Sequence, residues 1–196
     1  MLSLKNSLAV LKKTRALLEG HFILSSGLHS PLYVQCAKLL SFPKTSNKFT
    51  LSLSKKIKKK IKKIDIILSP AIGGIVVGYE IGRLLNKETI FCERVNGRFK
   101  LRRGFSIKKN SRVLIVEDVI TTGKSSLECV TLIKKSKAKL IGFACLIDRS
   151  SKKTLKIKNK KIISQIKLNV PVYKKNNLPT FIKNIPITKP GSRFLR

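Results

Sequence analysis

The sequence predicts an α/β fold built on a central, mainly parallel β-sheet flanked by helices, and two observations carry this prediction. From residue 64 onward, short apolar runs alternate with amphipathic helical segments, an order typical of parallel strands joined by crossover helices. The runs are continuously apolar, which indicates strands covered by helices on both faces. Ligands of such sheets bind beyond the carboxyl ends of the strands, so we expect the functional residues in the loops there.

The N-terminal segment predicts a small element outside that sheet. Leucines recur at helical spacing over Leu2–Leu18, which predicts an amphipathic helix. Two short β-like runs, Phe22–Leu24 and Leu32–Cys36, flank a segment rich in turn residues. The pattern then becomes helical and strongly basic from Phe42 to Ile64.

The main sheet follows in a regular order. We expect four strands and two helices, and we place the strands at Ile64–Leu68, Thr89–Cys92, Arg112–Val116 and Leu140–Ile147, and the helices at Ile75–Leu85 and Lys124–Lys135. The loop Pro70–Gly74 brings two glycines to the start of the first of these helices. It suits either a backbone wall against a pyrophosphate group or a plain tight turn, and the sequence does not separate the two.

A basic hairpin is predicted between the second and third of these strands. The segment Glu93–Gly104 contains the turn signal Asn96-Gly97 and few apolar residues, so we interpret it as a mobile flap. Its cations are Arg94, Arg98, Lys100, Arg102 and Arg103. The tail from Pro171 onward carries further prolines, which predicts an extended strap.

Length and composition limit the class of protein. A chain of 196 residues with 42% hydrophobic residues fits a single globular domain. No apolar run approaches the roughly 18 residues of a membrane-spanning helix, so we expect a cytoplasmic protein without a membrane partner. The cysteines lack the spacing of a metal site or a disulfide framework, which predicts small buried side chains at Cys36, Cys92, Cys129 and Cys145.

The charge is the unusual feature of the composition. Forty-three basic residues stand against nine acidic ones, for a net charge of +34. Such a balance first indicates nucleic acid, but the lysines of Lys55–Lys63, Lys134–Lys139 and Lys152–Lys161 alternate with other residues as solvated faces do. Aromatic residues are too scattered for base stacking. We therefore expect no specific nucleic-acid partner, while an RNA-binding regulator stays open as an alternative.

The most informative segment is Arg112 to Ser126, RVLIVEDVITTGKSS. Glu117 and Asp118, two of only nine acids, follow an apolar strand directly. A helix then opens with small hydroxyl and glycine residues, which offer free N–H groups and close approach to a phosphate. Carboxylates beside a phosphate site indicate a ligand with hydroxyls and a phosphate, such as a sugar phosphate.

Two other interpretations of this segment are weaker. Helix capping explains the hydroxyl residues but leaves the paired acids without a role. A P-loop shares the ending Gly123-Lys124-Ser125, but it requires a glycine where this chain has Asp118.

VLIVEDVITTGKS resembles the 5-phosphoribosyl-1-pyrophosphate (PRPP) signature of type I phosphoribosyltransferases. Further segments make the chain similar to the short bacterial orotate phosphoribosyltransferases over nearly its whole length: GHFILSSGLHSPLYVQ, SPAIGGIVVGYEIGR, ERVNGRFKLRRGF, Asp148-Arg149 and IPITKPGSR. The resemblance implies the type I fold as one domain, with a small N-terminal hood of about residues 1–40, a core of about 41–150 and C-terminal strands and a strap over about 151–196.

The resemblance also implies the reaction, in which orotate and PRPP give orotidine 5′-phosphate and pyrophosphate with Mg²⁺. In the family the flap of one subunit closes over the site of its homodimer partner. The PRPP-binding residues would be Arg94, Glu117, Asp118, Val119, Ile120, Thr121, Thr122, Gly123, Lys124 and Ser125. Thr121 and Arg149 would contact orotate, and the residues closest to the chemistry would be Arg98, Lys100 and Asp118. Mg²⁺ would be held mainly by PRPP, with no direct protein ligand assigned.

The chain departs from longer members of the family. Where they carry a lysine in the hood and another in the pyrophosphate loop, this chain has Ser25 and Gly73. Its flap is shorter, so either Arg98 or Lys100 takes the position of the family's flap lysine. His21 and His29 in the hood are expected to be structural or peripheral. A purine phosphoribosyltransferase is the alternative within the same fold.

Overall fold

The structure is a computed structural model that describes residues 1–24, 26–150, 154–155 and 162–188. Two sheets organise it. The main sheet has six strands in the order β5-β4-β3-β6-β7-β8: Arg98–Leu101, Glu88–Val95, Ile66–Pro70, Arg112–Ile120, Lys139–Asp148 and Ile162–Lys167. Five of these strands run parallel to one another, namely β4, β3, β6, β7 and β8. Strand β5 pairs antiparallel with β4 in a hairpin. The predicted mainly parallel sheet is confirmed.

Helices cover both faces of this sheet, as the unbroken apolar runs predicted. On one face lie α3 (Pro43–Lys60) and α4 (Gly73–Leu85), whose side chains share a core with Leu114 and Val116 of β6. On the other lies α5 (Lys124–Lys135), which packs with Ile115. The alternation along β6 therefore feeds two separate apolar layers. Among the described residues, no helix combines the length and apolar character of a membrane span.

The N-terminal hood lies outside the main sheet, as predicted, and the structure shows that it forms a three-stranded sheet. Its strands are β2 (His29–Val34), β1 (Leu17–Ile23) and β9 (Ile187–Thr188), in that order. The predicted first helix is too long, because α1 covers only Leu4–Lys13. Arg15 then takes a left-handed conformation with φ 54°, and the chain turns so that Leu17 pairs with Val34. Tertiary strand pairing thus overrides the leucine spacing.

Other boundaries moved for similar reasons. Cys36 begins a short helix, α2 (Cys36–Leu40), rather than ending a strand. The tail contains a short helix, α6 (Thr180–Lys183), and strand β9, so it is not wholly extended. β6 continues through Glu117 and Asp118 to Ile120 because β7 pairs with it that far. The paired acids therefore lie on the strand, not after it.

Candidate active site

The carboxyl end of β6 places its two acids on opposite faces of the sheet. Neighbouring side chains of a strand point to opposite faces, and Glu117 turns toward α5 while Asp118 turns toward α4 and the hood. The sequence predicts a pair of carboxylates at this edge, and the structure places both there. It gives them different surroundings, which an adjacent pair of letters does not reveal.

Glu117 is a buried acid, with 7% of its surface exposed. Its Oε1 accepts a hydrogen bond from the hydroxyl of Ser126, which lies in the first turn of α5. Burial raises the pKa of Glu117 to about 7, the Ser126 hydrogen bond lowers it, and the charge of Asp118 raises it. Its ionisation near neutral pH therefore depends on the α5 hydroxyl.

Asp118 packs directly against Gly73, which has no side chain. A Cβ added at Gly73, the first residue of α4, would come within 2.6 Å of Asp118 Oδ2. The Val119 amide donates to Asp118 Oδ1 at 2.8 Å and so fixes the carboxylate, and burial raises the Asp118 pKa. The Asp118 carboxylate thus occupies the place that a side chain at position 73 would take, where longer relatives are expected to have a lysine. The Pro70–Gly74 segment reaches the site in this way.

The start of α5 is the loop for which the sequence predicts a phosphate site. Gly123 caps the helix at φ 74°, and a Cβ there would meet Leu155 at 2.5 Å, so only glycine fits. Gly123 itself offers no capping side chain, and the Lys124 amide lies 3.5 Å from the Thr122 hydroxyl oxygen. Thr121 and Thr122 are exposed beside it, as is Lys124. The loop thus presents hydroxyls and helix-terminal amides to solvent at the edge where Asp118 lies.

Arg149 follows β7 beside the same strand end. Its amide donates to the Ile120 carbonyl at 2.8 Å, which ties it to the phosphate-loop strand. Its Nε is buried and has no hydrogen-bond partner among the described residues, and burial lowers its pKa. A buried guanidinium nitrogen without an acceptor is costly unless a ligand supplies one.

Tyr33 is a site residue that sequence reasoning missed. It lies on hood strand β2 and is close enough to both Arg149 and Asp118 for their charges to act on its phenol, whose pKa burial raises. Its ring packs on Phe22 at 5.7 Å between centroids. Tyr33 lies in the motif segment GHFILSSGLHSPLYVQ, but nothing in the sequence pattern indicates that its phenol lies near Arg149.

The flap is a β-hairpin as predicted, with Asn96 at φ 51° and Gly97 at φ 75° in its turn. It is better anchored than its sequence indicates, because Phe99 is buried. Two predicted cations are engaged: Arg94 forms a two-bond ion pair with Glu128 of α5 at 2.9 and 3.0 Å, and Arg103 pairs with Glu93 at 2.8 Å.

The other flap cations stay exposed. Arg98 and Lys100 share the face of β5 opposite Phe99, since side chains alternate along a strand. In the described part of the chain, no hydrogen bond or ion pair links the side chains of Arg98, Lys100 or Arg102 to another residue. The subunit's own fold therefore does not bring the two candidate catalytic cations into contact with Asp118.

The hood histidines form a buried pair. His21 Nε2 and His29 Nδ1 lie 2.6 Å apart, and His21 Nδ1 is 3.3 Å from the Ile185 carbonyl. These contacts join β1 and β2 to the C-terminal segment, in agreement with a structural role. All four cysteines are buried free thiols, as predicted. Ser25 and the PGSR ending lie outside the described residues.

Comparisons with known proteins agree with this geometry. The family model described as "Phosphoribosyl transferase domain" matches residues 46–176. A Parvibaculum lavamentivorans protein named orotate phosphoribosyltransferase is 45% identical over 94% of both chains. A protein of that name from Erythrobacter litoralis is 40% identical over 95% of this chain and 96% of its own. The crystal structure of orotate phosphoribosyltransferase from Aeropyrum pernix superposes with a TM-score of 0.72 at 23% identity, covering 82% of this chain and 92% of that one, which supports the fold.

Proposed function

The chain belongs to the orotate phosphoribosyltransferases, and from that membership we propose how its own residues carry out the reaction. It transfers the 5-phosphoribosyl group of PRPP to orotate, giving orotidine 5′-phosphate and pyrophosphate in pyrimidine biosynthesis. One observation carries the residue assignments: the half-buried Asp118 carboxylate and the N-terminus of α5 meet at one edge of the sheet.

The 5′-phosphate of PRPP binds at the start of α5. The amides of the helix terminus and the hydroxyls of Thr121, Thr122 and Ser125 surround an anion there. Asp118 accepts hydrogen bonds from the ribose hydroxyls, since its carboxylate is only half-buried at the end of β6, beside this loop.

Orotate binds between the hood and the end of β7. Its carboxylate supplies the acceptor that the buried Nε of Arg149 lacks, in the planar fork geometry that suits a carboxylate. Tyr33 forms the hood side of this subsite, because it lies close to both Arg149 and Asp118. Thr121, on the loop that follows β6, borders it from the other side.

Bond breaking at the anomeric carbon develops positive charge on the ribose and negative charge on the leaving pyrophosphate. The residues meet both changes. Asp118 stabilises the sugar side, and Arg98 and Lys100 of a flap stabilise the pyrophosphate. Closing the flap also excludes water that would hydrolyse PRPP.

Mg²⁺ fits this site as an ion that arrives with PRPP. In the described part of the chain, no three His, Cys, Asp or Glu side chains gather into a metal-binding group. Mg²⁺ commonly takes its ligands from substrate phosphates and water, with few from protein. When bound, it neutralises charge on the pyrophosphate. No side chain of this protein is assigned as its direct ligand.

The active protein is a homodimer in which the flap of one subunit serves the site of the other. Along α4 and the residue before it, Ile72, Val76 and Tyr79 are 85%, 54% and 66% exposed and recur at helical spacing. Two copies of so cationic a chain repel each other wherever their lysine-rich surfaces meet. An apolar stripe without lysine is therefore a suitable surface for a second copy. The stripe begins at the pyrophosphate loop, where a partner's flap would reach the site.

The location of the protein is proposed to be the cytoplasm. The four cysteines are free thiols, and the sulfur atoms of Cys92 and Cys129 lie 3.5 Å apart without a disulfide bond between them. Such a pair is compatible with a reducing compartment.

An absorbance assay tests the reaction directly. Orotate should be consumed only when PRPP and Mg²⁺ are both present, and omitting any one component should abolish the change. Adenine and xanthine replace orotate as controls for the purine alternative. Turnover of a purine without turnover of orotate would contradict the assignment.

A mixing experiment tests the shared site. The variant Arg98→Ala/Lys100→Ala and the variant Asp118→Asn should each be nearly inactive. Co-expressed with different tags, they should regain about a quarter of the wild-type activity by random assortment, because half of the dimers then hold one intact site. Mixed dimers with no recovered activity would show that each flap serves its own subunit.

A further inference from the structure

The amino-terminal edge of the main sheet, opposite the active site, gathers lysines from separate parts of the chain. β3, β4, β6 and β7 all begin there, so the segments that precede them meet. Backbone bonds join these segments: Asp65 N to Arg112 O at 2.9 Å, Lys139 N to Ser111 O at 2.8 Å, and Asn110 N to Lys137 O at 3.0 Å. We call this edge, with the residues listed next, the amino-edge face.

The amino-edge face carries a dense positive charge. Its lysines are all exposed: Lys58, Lys59, Lys60, Lys62, Lys63, Lys87, Lys108, Lys109, Lys134, Lys135, Lys137 and Lys139. The acids among these segments are Asp65, which Arg112 neutralises through a two-bond ion pair, and Glu88. Within the described residues, none of these lysines forms an ion pair with an acid.

Helix capping accounts for only part of this charge. Lysines in the last turn of a helix favour its dipole, which covers Lys58–Lys60 in α3 and Lys134 and Lys135 in α5. The other lysines of the face precede strands or lie in turns, where no helix dipole stabilises their charge. Their mutual repulsion is unfavourable in the free protein, so a polyanion that bridges them would be bound favourably.

The dimensions of the face suit a phosphate backbone. Its four strands lie side by side at about 4.8 Å spacing, so their starts span about 15 Å, and the ends of α3 and α5 extend the face on either side. A nucleic-acid duplex presents one charge per roughly 1.7 Å of its axis, or about ten charges over a comparable length. The numbers of charges on the two sides are therefore similar.

We propose that the amino-edge face binds the phosphate backbone of structured RNA without regard to sequence. No large exposed hydrophobic side chain lies among the listed segments, in contrast to surfaces that insert into membranes. No aromatic side chain is present in them to stack unpaired bases, which disfavours single strands. Duplex RNA is contacted chiefly through its shape, phosphates and 2′-hydroxyls, for which exposed lysines on a broad face suffice.

Two variants with equal net charge test the proposal. One neutralises the face: Lys58→Gln, Lys59→Gln, Lys63→Gln, Lys108→Gln, Lys109→Gln and Lys135→Gln. The matched control neutralises as many exposed lysines elsewhere: Lys5→Gln, Lys13→Gln, Lys44→Gln, Lys48→Gln, Lys174→Gln and Lys183→Gln. Binding of a labelled RNA duplex of about 20 base pairs is followed by anisotropy across a salt series.

The face variant should bind about tenfold or more weakly at moderate salt, and its salt slope should fall by about 3, since each lost phosphate contact removes nearly one unit. The control should stay within about twofold of the wild type. Both should turn over orotate like the wild type, and thermal unfolding checks that both fold.

Three results would overturn the proposal. Equal weakening in both variants would show that only the net charge matters. Tight binding to vesicles of phosphatidylserine and phosphatidylcholine, with none to the RNA duplex, would make the partner a membrane surface. Absence of RNA binding by the wild type at physiological salt would leave the face without this role.

Discussion

The two faces of β6 treat neighbouring acids in opposite ways. On the hood face, Asp118 is half-buried, held by a backbone amide and packed on Gly73. On the α5 face, Glu117 is buried and bonded to Ser126 of α5, the helix whose start is the proposed phosphate loop. In the proposed site, the first acid faces the ligand, and the second faces the protein interior.

The different surroundings of Asp118 and Glu117 give two different roles to residues that are adjacent in the sequence motif. A carboxylate that faces substrate space acts on the ligand directly, whereas a buried carboxylate acts first on the protein around it. We therefore expect changes on the hood face to appear mainly in activity. Changes on the α5 face should appear in stability and in pH dependence. Three substitutions test this contrast.

The largest effect is expected on the hood face, for Asp118→Asn. The substitution keeps the size of the side chain but removes the charge that stabilises the ribose, so kcat/KM should fall about 100-fold or more. Thermal stability should hold or rise, because burial already disfavours the Asp118 charge. Activity assays beside thermal unfolding measure both quantities. A fall in Tm that accounts for the lost activity would remove the distinction between the faces.

A smaller effect, mainly on stability, is expected for Glu117→Gln. The folded-state pKa of Glu117 is raised to about 7 from 4.5, so the folded protein binds more protons than the unfolded chain between these values. This group's contribution to wild-type stability therefore declines as the pH rises from about 4.5 to 7, by about 3 kcal/mol. The glutamine variant lacks that decline.

Relative to the wild type, the Glu117→Gln variant should thus gain stability at pH 8 compared with pH 5, by on the order of 5 °C in Tm. Thermal unfolding of both proteins at the two pH values gives the difference, in which other titrating groups cancel. The same difference at both values would mean that Glu117 titrates normally. Its activity loss should be smaller than that of Asp118→Asn.

The smallest effect is expected for Ser126→Ala, which removes the hydroxyl that favours the ionised form of Glu117. The pKa of Glu117 should rise further, and the acidic limb of the profile of kcat/KM for PRPP should move up by about half a pH unit. Ser126→Thr should restore the profile.

Thr131→Ala provides the matched control, since it removes an exposed hydroxyl from the same helix. Its pH profile should match the wild type. If Ser126→Ala lowers Tm but leaves the profile in place, the hydroxyl only packs the helix and does not position Glu117.

Much of the fold was accessible from local patterns. The four strands and two helices predicted from residue 64 onward, the hairpin turn at Asn96-Gly97 and the separate hood are confirmed, but β5 and β8 also join the sheet and were not among those four strands. The errors arose where long-range pairing outweighed local signals. Leu17 and Leu18 fit a helical spacing, yet strand pairing with Val34 and Tyr33 draws them into β1. Similarly, β7 extends β6 through its two acids, although charged residues usually mark the end of a buried strand.

The site followed the same division. Residues contiguous in the chain, from Glu117 to Ser125, could be predicted as site candidates because one strand, one loop and one helix start hold them together. The sequence indicates only a helix residue at Ser126. Its hydroxyl nevertheless donates a hydrogen bond to Glu117, nine positions earlier on a strand. Tyr33 and Arg149 are far apart in sequence and meet only when the hood folds over the sheet.

Motif and periodicity were sufficient to predict the family, the sheet and a candidate phosphate loop, because each depends on neighbours within a few residues. Packing in three dimensions decided which acid faces α4 and which faces α5, which flap cations are already paired and where the scattered lysines converge. These outcomes depend on strand register and on contacts between distant segments. A one-residue change of register would exchange Glu117 and Asp118 between the faces without altering a letter of the motif.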